Sequence, residues 1–141
     1  MSNKADELLR EYTSPGKKFV LTAPIEWSLE QSPEELQIMS GSGGTAVTIS
    51  TYKRTDQTIQ IDCVRHLKKF LSNEGVERVS IVTERPAEAS AEYFGKDNQH
   101  WYVSFRENEH TLLLATGNAT AHAQEEEFLL ARKIINSINL I

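Results

Sequence analysis

His100-Trp101-Tyr102-Val103-Ser104-Phe105-Arg106, then Glu107-Asn108-Glu109, then Thr111-Leu112-Leu113-Leu114-Ala115-Thr116 is the stretch that decides the fold. Trp101, Val103 and Phe105 recur every second residue, which puts them on one face of a strand. The polar triplet reads as a turn. The run after it is the most apolar strand pattern in the chain, and a strand with no polar face belongs near the middle of a sheet, covered on both sides.

The same pattern continues upstream. Ala89 to Phe94 reads as a strand, joined to His100 by the turn Gly95-Lys96-Asp97-Asn98, and Val76 to Glu84 places Val79 and Ile81 on one face. Downstream, Phe128, Ala131, Ile134, Ile135 and Ile138 form one apolar stripe, which predicts a helix from about Gln124 to Ser137. Glu125, Glu126 and Glu127 sit at its positive end, where the helix dipole favours carboxylates.

The amino-terminal half has one helix and three strands by the same reasoning. Cys63, Val64, Leu67, Phe70 and Leu71 line one face of a helix from Ile61 to Asn73, closed by Asn73 or by Gly75 as a left-handed cap. Thr45 to Tyr52 alternates cleanly and pairs with Leu36 to Met39 across Ser40-Gly41-Ser42-Gly43-Gly44, a hairpin signal. Phe19-Val20-Leu21-Thr22 is a short strand ended by Pro24, and Trp27 follows in a loop or a further short strand. Residues 1–16 read as a leader, a short helix or extended arm ending at Pro15-Gly16, ahead of a single domain over 17–141. The order is β-β-β-α-β-β-β-β-α. Tight turns between consecutive strands make it an α+β protein, with a mainly antiparallel sheet of six or seven strands packed against helices.

Composition bounds the function. At 141 residues the chain makes one domain, burying roughly two-thirds of its unfolded surface without a staple. A net charge of −5 argues against a sequence-independent nucleic-acid binder, which needs a basic face. Cys63 is the single cysteine, so no internal disulfide forms. Met1 to Arg10 lacks the apolar core of a secretory signal, and no apolar run reaches the length of a membrane span. The expectation is a cytoplasmic protein.

The element order and one local pattern, Phe19-x-Leu21-x-x-Pro24-x-x-Trp27, resemble the PsbP/DcrB-like superfamily. The helix after the glycine hairpin and the closing helix ending in Asn136-Ser137-Ile138 fit the same plan. The resemblance covers roughly residues 12 to 141 and implies a PsbP/DcrB-like αβ sandwich. It also implies a mostly non-enzymatic setting, since members include photosystem subunits, a periplasmic lipoprotein, a Ran-binding import factor and the Eag chaperones of secreted effectors. No residue set here matches a Ran-binding or metal-binding motif, so the resemblance assigns no site.

Several residues carry chemistry by type, each with a plainer reading. Cys63-x-x-His66 shares a helix face and offers half a metal site or a nucleophile pair, but no second pair completes it, and a buried core cysteine is the simpler account. His100 and His110 flank one hairpin with Glu107 and Glu109 nearby, an adventitious metal set or solvated turn residues; His122 stands alone. Gly41-Ser42-Gly43-Gly44 is followed by a strand, not by the helix a phosphate cradle needs. Asn118-Ala119-Thr120 matches a glycosylation pattern by chance. No catalytic residue, cofactor or metal is expected.

That leaves partner binding. Trp101 belongs to the core face; Tyr52, Tyr93 and Tyr102, if they share an uncovered sheet surface, are the candidate protein-binding surface, because amphipathic aromatics favour interfaces. The leading expectation is a non-enzymatic protein-binding module, with a bacterial secretion-system accessory or chaperone as its specific form and homodimerisation as a corollary. The competing expectation is a small-ligand protein or enzyme with a pocket between sheet and helices.

Overall fold

The computed structural model describes residues 8–76, 78–95, 98–120 and 125–141. In chain order its elements are β1 (Leu9–Thr13), β2 (Phe19–Pro24), β3 (Ser28–Gln31), β4 (Glu35–Met39), β5 (Thr45–Lys53) and α1 (Cys63–Glu74). There follow β6 (Val79–Arg85), β7 (Glu88–Phe94), β8 (His100–Glu107), β9 (Thr111–Ala119), α2 (Glu125–Asn136) and β10 (Asn139–Leu140).

Seven strands make one sheet in the order β3-β4-β5-β9-β8-β7-β6, and β1-β2-β10 make a second. Each described strand pairing is antiparallel. β9 is the middle strand of the large sheet, as its apolar run predicts. The result is the expected α+β sandwich, with helices and a small sheet packed on a large antiparallel sheet.

Two apolar layers hold it together. On one side of the large sheet, α2 and the small sheet bury Phe19, Leu21, Ile38, Val47, Leu113 and Ile135 among others. On the other side, α1 buries Cys63, Leu67, Ala91, Val103 and Phe105. Gly117 on β9 marks how closely α2 approaches: a Cβ there would stand 3.2 Å from Ile135 Cδ1 and 3.4 Å from Ala131 Cβ. Helix α1 starts where the Asp62 carboxylate accepts the Arg65 N–H and stops at Gly75, whose φ of 66° is the left-handed cap expected of glycine.

Three strands lie beyond the predicted order, and each is short. Residues 9–13 of the predicted leader are extended, not helical, and form β1 along β2. Ser28–Gln31 pairs with β4 to become an edge of the large sheet, while the Phe19 strand leaves that sheet for the small one. Asn139–Leu140 adds to the other side of β2. Few apolar positions mark these segments, and their pairing comes from tertiary contact. His122 and Gln124, the predicted start of the last helix, lie outside the described residues.

Candidate functional site

The register decides what the large sheet exposes. In an antiparallel sheet directly opposed residues share a face. Trp101, Asn118, Ala46, Met39 and Ser28 therefore form one row across β8, β9, β5, β4 and β3. Val103, Thr116, Thr48, Gln37 and Glu30 form the next, then Phe105, Leu114, Ser50 and Glu35, then Glu107, Leu112 and Tyr52. Helix α1 lies over β6, β7 and β8, covering only the start of each row. Its edge meets the sheet at Phe105, where the His66 ring stacks at 5.9 Å and Phe70 packs edge-on at 5.9 Å.

Beyond that edge, no described helix or sheet packs on the half of this face carried by β5, β4 and β3, while Leu112 and Leu114 of β9 still touch the α1 layer. Ala46, Thr48 and Ser50 are half-buried by the sheet itself, and Tyr52 and Met39 are exposed. The positions facing this way on β5 and β9 are Ala46, Thr48, Ser50, Tyr52, Leu112, Leu114, Thr116 and Asn118, and none is charged. The wet face of a half-buried sheet ordinarily carries charge; here it is confined to the outer strands, at Glu35 on β4 and Glu30 on β3.

At the Tyr52 end of this face the chain leaves β5 and crosses to α1, enclosing a cleft of about 280 Å³. Glu107, at the end of β8, is its buried centre. Arg54 Nε lies 2.9 Å from Glu107 Oε2, His66 Nε2 lies 3.3 Å from Oε1, and the Asp62 N–H donates to Oε1 at 3.2 Å. Arg54 also donates to the carbonyls of Asn108 and Ile59, tying the crossing segment to the β8–β9 turn. Asp56 accepts the Thr58 hydroxyl and N–H, which hold its carboxyl below the usual range.

A second network lies on the opposite face. Glu92 accepts His100 Nε2 at 2.6 Å and Arg132 at 2.8 Å. The His100 ring is stacked between Phe94 and Phe128, at 4.5 and 3.7 Å. A third joins the glycine hairpin to α2: the Glu127 carboxylate accepts the hydroxyls of Ser40, Ser42 and Thr45 at 2.9–3.2 Å. The serines of that hairpin are thus engaged by a carboxylate of the same chain.

The three tyrosines do not meet. Tyr52 is 52% exposed on the bare half-face, whereas Tyr93 and Tyr102 are 5% and 1% exposed. Tyr93 pairs with Trp101 and stacks on it, on the α1 side. Tyr102 points the other way, under α2, with Arg132 over its ring and its hydroxyl donating to Asn136 Oδ1 at 2.9 Å. Cys63 and His66 also part company. Cys63 is wholly buried, and burial, reinforced by the negative charges of Glu107, Asp62 and Glu88, pushes its thiol up to about 12. His66 faces Glu107 instead. His100 begins β8 and His110 lies in the turn beyond its other end, roughly the length of an eight-residue strand (about 23 Å) away, so they form no joint site. Among the described residues no three histidine, cysteine, aspartate or glutamate side chains gather as a metal site requires.

Arg54, Lys53, Arg65 and Glu107 are the cleft residues that periodicity does not reveal. Glu107 reads as a turn residue in the sequence yet ends β8 with its side chain 4% exposed.

No protein-family model matches the chain, and no curated protein matches it by sequence. Solved structures do. The solution structure of cyanobacterial PsbP (CyanoP) from Synechocystis sp. PCC 6803 matches with a TM-score of 0.66 at 12% identity, covering 100% of this chain and 98% of that one. A crystal structure from Bacteroides thetaiotaomicron matches with a TM-score of 0.63 at 14% identity over 93% of this chain. The match covers 48% of that protein, so this chain spans about half its length. The fold is PsbP-like, as the sequence resemblance implies, and a shared fold at this identity carries no activity with it.

Proposed function

We propose that this chain is a non-enzymatic protein-binding module whose partner docks on the bare half-face of β5, β9 and β4. The observation that supports this reading is the row geometry: the eight positions of β5 and β9 on this face, exposed Tyr52 among them, carry no charge, and exposed Met39 lies beside them on β4. Interface cores are depleted in charge and enriched in Tyr and Met, which fits such a face. No described helix is long and apolar enough to cross a membrane. The proposed setting is the bacterial cytoplasm, without nucleic acid.

The specific form of the proposal is an accessory or chaperone of a secretion system, drawn from the superfamily resemblance. It requires a partner with an apolar segment. The test is affinity capture with the wild-type chain beside Thr48→Arg, which places a charge at the centre of the face. One stoichiometric partner held by the wild type and lost by Thr48→Arg supports the module. If that partner is a second copy, the wild type elutes as a dimer and the variant as a monomer. A partner retained equally by both chains overturns the face assignment.

A further inference from the structure

We infer that the partner docked on the bare half-face is a second copy of this chain, held face to face about a two-fold axis that runs along the strands. This rests on the docking face proposed above and names what covers it. The argument is one of charge. Between Phe19 and Tyr52 the chain has four glutamates and neither lysine nor arginine. Two of them, Glu30 on β3 and Glu35 on β4, stand on the half-face at the side away from α1. Helix α1 is the reverse. It carries Arg65, Lys68 and Lys69, all exposed, against one acidic residue, Glu74. His66 and Phe70 mark the flank of α1 that borders the half-face, since both rings pack on Phe105. Lys69 follows His66 by three residues and Arg65 by four, which groups these side chains on that side of the helix. The uncharged floor of Ala46, Thr48 and Ser50 therefore lies between an acidic bank and a basic one.

Among the described residues, Glu30, Glu35, Arg65 and Lys69 enter no ion pair. A second copy can meet them in one orientation. Turned about an axis across the strands, it sets acid on acid and α1 on α1. Turned about an axis along the strands, it lays β3 and β4 of each copy beside α1 of the other, and opposite charges meet twice. Space allows this. Stacked sheets lie about 10 Å apart, and a helix with its side chains is about 10–12 Å across, so the partner's outer strands fit in the layer that α1 occupies. The contact is isologous, so it closes at two copies. It covers exposed Met39 and the small residues of the floor, and the charge pairs set its orientation.

The test is sedimentation equilibrium of the full chain and two charge-reversed variants. The wild type is expected to show a monomer–dimer equilibrium that Thr48→Arg abolishes. Glu30→Lys with Glu35→Lys makes both banks basic, and Arg65→Glu with Lys69→Glu makes both acidic. Each variant alone is expected to dimerise at least roughly tenfold more weakly than the wild type. Mixed in equal amounts, the two restore both charge contacts and form a heterodimer, which also shows that each is folded. A mixture no more associated than its components overturns the arrangement, even where the wild-type dimer depends on Thr48. A wild-type dimer indifferent to Thr48→Arg overturns it too, since the copies then meet elsewhere. A monomeric wild type that captures a different protein, and loses it with Thr48→Arg, overturns the second copy while the docking face stands.

Discussion

Arg54 Nε stands 2.9 Å from Glu107 Oε2, with the two side chains only 8% and 4% exposed. The pair joins the end of β5 to the end of β8 across the intervening β9, and it fixes the crossing segment that leads into α1. A buried ion pair contributes little net energy when intact, but leaving one charge alone in the interior is costly. Arg54→Met should therefore destabilise the fold by about 3 kcal/mol or more. Arg54→Met with Glu107→Leu should cost less than Arg54→Met alone, since no buried charge is stranded. Urea unfolding of the wild type, the single variant and the pair decides this. Additive losses would show that the two side chains act separately.

Cys63 gives a prediction in pH. Its native thiol is pushed up to about 12, from a usual value of 9.0, by burial first and then by Glu107, Asp62 and Glu88. Between those values the unfolded chain has released a proton that the native chain retains. Stability must then fall as pH rises from about 9 towards 12. Cys63→Ala removes that component, so any stability advantage of the wild type over the variant should shrink through this range. At pH 8 a thiol reagent should label Cys63 only at the rate of unfolding. Rapid labelling of native protein would contradict the burial.

Glu127 is predicted to hold the glycine hairpin. Its carboxylate accepts hydroxyls from Ser40 and Ser42 of the hairpin and from Thr45 at the start of β5. Glu127→Ala should cost about 1–3 kcal/mol and speed amide exchange at Ser42 to Gly44. Unchanged exchange at those amides would show that the hairpin stands by itself.

Most of the large sheet was legible because alternation is local. Trp101, Val103 and Phe105 share a face, and the α2 stripe from Phe128 to Ile138 is buried as its spacing predicts. Register was the harder quantity. The loop closed by the Gly95 N–H on the Gln99 carbonyl sets Phe94 opposite His100, and that alone puts Tyr93 on the Trp101 face rather than with Tyr102. One residue more or less in that loop would reverse the assignment, and the sequence carries no mark of it. The cleft was illegible for a different reason. Arg54 and Glu107 meet across 53 positions of sequence, from the ends of two strands where periodicity has stopped. The bare half-face required both facts, which residues share a face and how far α1 reaches.

The most direct test of the docking face is the affinity of the captured partner for three forms of the chain. Thr48→Arg should raise the dissociation constant more than about tenfold, the loss expected when an unpaired charge is forced into an interface core. Tyr52→Ala should weaken binding as well. Leu129→Arg, which changes an exposed apolar residue of α2 on the other side of the sheet, should bind like the wild type. If Thr48→Arg and Tyr52→Ala keep wild-type affinity while Leu129→Arg loses it, the partner docks on α2, and the bare half-face is not the functional surface.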